Sequence, residues 1–238
     1  MGLSIHDRVK DYVPSWLYYP HKIAKLARFG EPELRILSDI VPPGRPAIDV
    51  GANRGYYSYA LSKVTSRVVA FEPHPLLARF ARRKLGTAIP VHEVALSNRS
   101  GSTILHVPQV KNGVDVHYNA SITKSYTYFS TYIEIPVRMA TLDEFAFDDV
   151  GFIKIDAEGA DMDVVEGGRA TIARCRPTMV IELIAVTHED PLGCVERIER
   201  EFGYAGRVMV GDDLVDARVV LRAPNDSLST CNVVFTPR

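Results

Sequence analysis

The sequence predicts an α/β fold, with a largely parallel sheet covered by helices on both faces, and three observations point to it. From Ala47 onward, short apolar runs alternate with stretches of helical periodicity, the rhythm of parallel strands joined by crossover helices. The first of these runs, Ala47–Val50, passes directly into a glycine-bearing turn and then a helix, as in folds that bind a ligand at the carboxyl ends of their strands. Composition agrees: 238 residues with 46% hydrophobic and 24% charged side chains describe a soluble globule with enough chain for a sizeable core.

Residues 1–45 read as a helical lead-in. Ile23, Leu26, Ala27, Leu34, Leu37 and Ile40 recur at helical spacing, interrupted by Gly30 and Pro32, which predicts a basic helix, a turn and a second helix. Pro42, Pro43, Gly44 and Pro46 then break the chain before the main domain, 46–238. Within it the expected order is strand Ala47–Val50, helix Tyr56–Val64, strand Arg67–Phe71, helix Leu76–Leu85 ending at Gly86, and strands Val91–Leu96 and Thr103–Val107. Phe152–Asp156 follows as a strand, then helix Asp161–Ala173, strand Thr178–Leu183, helix Leu192–Phe202 and a final strand Asn232–Phe235, with Arg207–Val210 available to pair. Residues 108–135 stand apart, rich in Ser, Thr, Asn and Tyr, with His117, Tyr118, Tyr126, Tyr128 and Tyr132 close together. They read as a surface hairpin or as an acceptor-binding insertion, since binding residues gather on loops.

A formal charge of -1 gives no general attraction to a polyanion, so nucleic acid is not the expected partner. Cys175, Cys194 and Cys231 show no CxxC pair, which suits free thiols in a reducing cytosol. The first thirty residues lack the continuous apolar stretch of a signal peptide, and no run approaches the roughly 18–20 apolar residues of a membrane span; a cytoplasmic protein is expected. Lys10, Lys22, Lys25 and Arg28, interleaved with Trp16, Tyr18 and Tyr19, leave two readings of the lead-in: peripheral contact with an anionic membrane, or packing on the domain or across a homodimer.

The first strand and turn read Ala47-Ile48-Asp49-Val50-Gly51-Ala52-Asn53-Arg54-Gly55. Gly51 and Gly55 let a cofactor approach the backbone, and their GxxxG spacing departs from the GxGxxG of dinucleotide binders. The next strand ends in Glu72-Pro73, placing an acidic residue at the second strand tip where it can accept hydrogen bonds from the ribose hydroxyls of an adenosine moiety. Two adjacent strand tips thus face one nucleoside.

With these stretches, Ala95-Leu96-Ser97, Thr141-Leu142-Asp143, Phe152-Ile153-Lys154-Ile155-Asp156-Ala157-Glu158-Gly159-Ala160-Asp161, Glu166-Gly167 and Ile181-Glu182 form an ordered set across residues 47–183. In that set the chain resembles the FkbM-type methyltransferases, a family of S-adenosylmethionine-dependent O-methyltransferases. The resemblance implies a seven-stranded Rossmann-like class I methyltransferase fold and S-adenosylmethionine held by Asp49, Gly51, Ala52, Asn53, Gly55, Tyr56, Glu72, Pro73 and Asp156. By the same analogy the acceptor is a hydroxyl of a sugar, glycolipid, glycan or polyketide-type natural product. Asp161 stands where the family more often has Glu.

The charged cluster has a bottom-up reading as well. Strand alternation puts Phe152, Lys154 and Asp156 on one side and Ile153 and Ile155 on the other. Three charges at an apolar strand end must be paired or functional. Methyl transfer to a hydroxyl needs alignment and a proton acceptor. Asp156 is the first candidate for that base, with Lys154, Glu158, Glu182 and His188 expected near it. No acidic spacing is diagnostic of a metal, and none is expected. Two other classes share such a fold, a nicotinamide-dependent oxidoreductase and a catalytically silent cofactor-binding module. The missing GxGxxG disfavours the first, and a product assay separates the second.

Overall fold

The computed structural model describes residues 12–109, 120–123, 131–183, 187–222 and 232–238. Its centre is an eight-stranded sheet of order β10-β9-β11-β8-β7-β1-β2-β3. The strands are β1 (Ala47–Val50), β2 (Val68–Phe71), β3 (Val91–His92), β7 (Phe152–Ile155), β8 (Thr178–Glu182), β9 (Tyr204–Val210), β10 (Asp213–Asp216) and β11 (Asn232–Pro237). Strands β3, β2, β1, β7 and β8 run parallel, while β11 and β9 are antiparallel to their neighbours. Seven strands carry the expected Rossmann-like order. The eighth, β10, pairs with β9 at the edge across the tight turn at Gly211, where φ is +65°. It adds no crossover, so the fold class stands.

The central strands are apolar because both faces are covered. All four residues of β1 and of β7 are buried. Ile153 and Ile155 point into one core cluster with Val164, Val165 and Ile172, whereas Phe152 joins Leu61, Ala78 and Val180 on the other face. The helices follow their local signals. In α4 (Pro75–Leu85), His74 Nδ1 accepts from Leu76 N, Pro75 begins the first turn, and Gly86 ends the helix at φ +71°. The predicted helix Asp161–Ala173 breaks at Gly168 into α5 (Asp161–Gly167) and α6 (Arg169–Cys175). The Asp143 carboxylate accepts from the α6 amides of Ala170 and Thr171 and so caps that helix.

Val91–Leu96 is likewise not one strand. The chain leaves the central sheet after β3 and enters a second sheet as β4 (Ala95–Leu96), beside β6 (Thr131–Ala140) and β5 (Gly101–Gln109). Strands β5 and β6 form a long antiparallel ladder from Gly101↔Met139 to Gln109↔Thr131. Of residues 108–135, 108–109 and 131–135 are therefore the far end of this ladder; His117, Tyr118, Tyr126 and Tyr128 lie outside the described residues, as does Cys231.

The lead-in consists of α1 (Ser15–Phe29), a 3-10 turn Pro32–Ile36 and the single-turn α2 (Leu37–Ile40). Its second helix is a single turn because residues 32–36 take the tighter 3-10 form and Val41, ahead of Pro42, is already extended. Leu34, Leu37, Ile40 and Val41 are buried in the same cluster as Ala47, Leu61 and Val180. The lead-in thus completes the core that covers one face of the sheet. Strand order reverses between β1 and β7, which makes their carboxyl ends the switch point where such folds bind ligands.

Candidate active site

At this switch point lies a pocket walled by Val50, Gly51, Asn53, Phe71, Glu72, Pro73, Leu77, Leu96, Asp156 and Glu158, among others. The turn after β1 is fastened to the β2 tip. Gly51 N and Ala52 N donate to Phe71 O at 2.9 and 3.0 Å, and Asn53 N donates to Glu72 Oε2 at 2.7 Å. The other oxygen, Glu72 Oε1, accepts from His74 N at 2.7 Å. Burial pushes the Glu72 carboxyl up to about 7, against the two amide hydrogen bonds that pull it down. Its carboxylate is fixed in place and keeps lone pairs for a ligand's hydroxyls.

The two glycines of the turn are required for reasons the sequence did not reveal. Gly51 has φ +75°, and a Cβ there would lie 1.7 Å from Asp156 O. Gly55 has φ +81°, and its Cβ would meet Leu85 Cδ1 at 2.8 Å and Tyr19 Oη at 3.1 Å. Close approach of the β7 tip demands Gly51; packing of α4 and α1 demands Gly55. Asn53 also takes a left-handed conformation, φ +51°, which Asn tolerates.

Several expected cofactor residues face elsewhere. Asp49 is 1% exposed and accepts from Ser58 Oγ at 2.5 Å; burial raises its carboxyl to about 6. Tyr56 begins α3 (Tyr56–Leu61), and its hydroxyl pairs with Tyr18 Oη at 2.8 Å. Neither is among the pocket residues, nor are Ala52 and Gly55. On the far wall stand Leu105, Ala120 and Ile122, which the sequence reading missed. Ser121 pairs with His106 through backbone bonds, and its Oγ donates to Glu158 O at 2.6 Å. The described base of the 108–135 segment therefore walls the same pocket as the first turn.

Beside the pocket, at the ends of β7 and β8, charges crowd together. Lys154 is 1% exposed. Its Nζ donates to Asn232 Oδ1 at 3.2 Å and Ile155 O at 3.3 Å, stands 3.6 Å from Asp156 Oδ2, and lies 5.4 Å from the Tyr57 ring centroid. Burial alone would lower the ammonium; the surrounding charges, Asp156 foremost and then Glu31, Glu182 and Glu33, raise it instead. Asp156 and Glu182 each extend one residue along, past the registered pair Ile155↔Ile181. The Asp156 charge first, and burial second, drive the Glu182 carboxyl far above its usual range.

Two members of this cluster come from the lead-in and were not anticipated. Glu33 Oε1 accepts from Tyr57 Oη at 2.9 Å and from Asn232 Nδ2. Glu31 is raised to about 8 by burial, and its enclosed Oε2 has no hydrogen-bond partner among the described residues. Nothing in the spacing of Glu31 and Glu33 marks them in the sequence. His188 meets Asp161 at the end of the turn after β7. Its Nε2 stands 3.4 Å from Asp161 Oδ2 and its Nδ1 2.9 Å from Thr187 Oγ1. Asp161 in turn accepts from Ala157 N at 2.7 Å and Gly159 N at 3.1 Å, holding the turn in which Glu158 adopts φ +51°. Among the described residues no group of three or more His, Cys, Asp or Glu is placed to hold a metal ion.

The pocket suits an adenosine moiety, with apolar walls at Phe71, Leu77, Val94 and Leu96 beside a buried carboxylate. The Methyltransferase FkbM domain model matches residues 49–205, well over half of the chain. The 2-O-methyltransferase NoeI of Sinorhizobium fredii is 26% identical over 190 residues, covering 73% of this chain and 75% of that protein. The crystal structure of a methyltransferase FkbM from Methylobacillus flagellatus superposes with a TM-score of 0.52 at 15% identity, over 95% of this chain. This chain spans only 57% of that one's length. Fold, strand-tip pocket and family model agree, and the family match sets the nicotinamide reading aside: the chain belongs to the FkbM methyltransferase family, with S-adenosylmethionine as its cofactor.

Proposed function

We propose that this protein is an O-methyltransferase whose acceptor is a hydroxyl of a polyhydroxylated small molecule, such as a sugar, glycolipid, glycan or polyketide-type compound. One observation carries the reading: Asp156, a partly exposed carboxylate, lies in the wall of the cofactor pocket with the buried Lys154 ammonium behind it. S-adenosylmethionine, when bound, supplies a methyl group made electrophilic by its sulfonium. Glu72 would accept the ribose hydroxyls, and Phe71, Leu77, Val94 and Leu96 would enclose the base. Asp156 is the group to accept the acceptor's hydroxyl proton. Lys154 fixes its orientation, and Glu182, its carboxyl driven up by the Asp156 charge and by burial, keeps its proton beside it. NoeI, a 2-O-methyltransferase by name, supports oxygen as the atom modified. The 108–135 segment is the proposed acceptor-binding element; its Ala120 and Ile122, with Leu105 of β5, line the pocket.

The test is transfer of labelled methyl from S-adenosylmethionine to a panel of sugar glycosides and polyketide alcohols. Asp156→Asn keeps the size and removes the charge, so turnover should fall by roughly 10²- to 10⁴-fold. Affinity for S-adenosylhomocysteine, by calorimetry, should change much less. Near-normal turnover moves the base to Glu158 or Glu182. Joint loss of turnover and cofactor affinity makes Asp156 a cofactor-holding residue, and transfer to nitrogen acceptors only defeats the oxygen assignment.

A further inference from the structure

Helix α1 has two faces with different destinations. Its inner face is anchored: Tyr18 and Tyr19 are buried, Tyr19 Oη donates to Arg54 O at 2.9 Å, and Ile23, Leu26 and Ala27 pack on the core. The outer face carries Trp16, 71% exposed, Leu17, 54%, and Phe29, 72%, with Tyr12 just ahead at 88%. Three of the seven exposed large hydrophobic residues described thus lie on this one helix, and a fourth, Tyr12, stands just ahead of it. Trp16, Pro20 and Ala24 follow one another at four-residue spacing, which makes a continuous stripe on the helix. A shallow apolar groove continues it between Pro20, Leu34, Leu37, Tyr59 and Val64, with Lys63 at its edge.

The charge on this face selects the occupant. Residues 12–30 contain Lys22, Lys25 and Arg28 and no Asp or Glu. Lys25, Arg28 and His21 are exposed beside the aromatic stripe. Two copies meeting face to face across a two-fold axis would bring like charges together. An anionic bilayer surface instead complements the cations and accepts tryptophan and tyrosine at headgroup depth. No described helix is long and apolar enough to cross a membrane, so the contact is peripheral. We propose that the outer face of α1 is a docking surface for an anionic bilayer, with Tyr12, Trp16 and Leu17 entering the headgroup boundary and Lys25 and Arg28 meeting lipid phosphates. The surface is independent of which acceptor the pocket takes.

Trp16 is the only tryptophan in the chain, so its fluorescence reports on the centre of this face. The full chain is titrated with phosphatidylcholine vesicles containing phosphatidylglycerol, and with phosphatidylcholine alone. The expected result is a blue shift and co-sedimentation with the anionic vesicles only, both reversed by high salt. Lys25→Gln with Arg28→Gln should weaken partitioning by about 30-fold, at about 1 kcal/mol for each cation near the surface. Trp16→Ser with Leu17→Ser should abolish co-sedimentation, and unchanged S-adenosylhomocysteine affinity in both double variants shows that they remain folded. Absence of binding to anionic vesicles overturns the proposal. So does equal binding to neutral ones, or a blue shift that grows with protein concentration without lipid, which would put a second copy on the face.

Discussion

Two sites stand side by side at the carboxyl ends of the sheet, one on β1 and β2 and the other on β7 and β8, and they are built in different ways. The first is local. Residues 50–77 supply the part of its wall that follows β1 and β2, and both oxygens of the Glu72 carboxylate are engaged by backbone amides within twenty residues. The second is assembled from five separate segments, through Glu31 and Glu33, Tyr57, Lys154 and Asp156, Glu182, and Asn232. Its charges are compensated chiefly by one another, with Lys154 among Asp156, Glu31, Glu182 and Glu33. The difference teaches where each site is vulnerable: the first to loss of a single hydrogen-bonding group, the second to loss of charge balance.

The largest effect should come from the charge-balanced site. Lys154→Met keeps the length of the buried stem and removes the ammonium that offsets Asp156, Glu31, Glu182 and Glu33. Leaving buried carboxylates without their cation typically costs about 3–5 kcal/mol, so the urea midpoint should fall steeply with the slope unchanged. Adding Glu33→Gln should recover part of the loss. A change well under 1 kcal/mol in Lys154→Met would mean that these carboxyls do not depend on Lys154, and the contrast between the two sites would fail.

The local site should respond in ligand affinity. Glu72→Ala should weaken S-adenosylhomocysteine binding by about 1–3 kcal/mol, the usual cost of losing hydrogen bonds to a charged group. Its pH dependence has a definite sign. Because the folded-state value is raised from 4.5 to about 7, the unliganded fold holds a proton that the unfolded chain has released. This contribution to stability is full below about pH 4.5 and is lost as pH rises through about 7. Bound ribose hydroxyls favour the ionised carboxylate, so cofactor affinity should rise over the same interval and level off above it. Glu72→Gln should flatten both profiles; a profile that persists in the variant assigns the titration to another group.

The same contrast explains what could be read in advance. The β1 turn, the Glu72 tip and the Phe152–Asp161 stretch were legible because each is a contiguous run whose chemistry sits at a strand end. The Asp156–Glu182 pairing followed from two neighbouring strands. Glu31, Glu33 and Asn232 were not legible, because their roles arise from long-range packing: Asn232 meets Glu33 across 199 positions. His188 was expected near the strand tips, and its partner there, Asp161 at the end of the turn after β7, was not foreseen. The glycines were identified correctly as special but for another reason, since the atoms that crowd them are Asp156 O, Leu85 and Tyr19 Oη.

The smallest predicted effect tests whether the local site is as self-contained as the hydrogen bonds of Glu72 suggest. Tyr19 comes from the lead-in, is fully buried, and stacks on Tyr59 with ring centroids 4.4 Å apart. Burial pushes its phenol well above the usual range, so the hydroxyl stays protonated and donates to Arg54 O inside the cofactor turn. Tyr19→Phe removes that one hydrogen bond and leaves the ring packing in place, at a cost of about 0.5–1.5 kcal/mol. If the bond only fastens α1, the loss appears in the urea midpoint and the dissociation constant for S-adenosylhomocysteine stays as it was. If it also sets the turn, where Gly55 leaves little room beside Tyr19 Oη, affinity should drop several-fold together with stability. We expect the second outcome, because Arg54 lies between Asn53, whose amide is held by Glu72, and Gly55, whose left-handed conformation fixes the start of α3. An unchanged dissociation constant in a measurably destabilised Tyr19→Phe protein would make the first site local in binding as well as in construction.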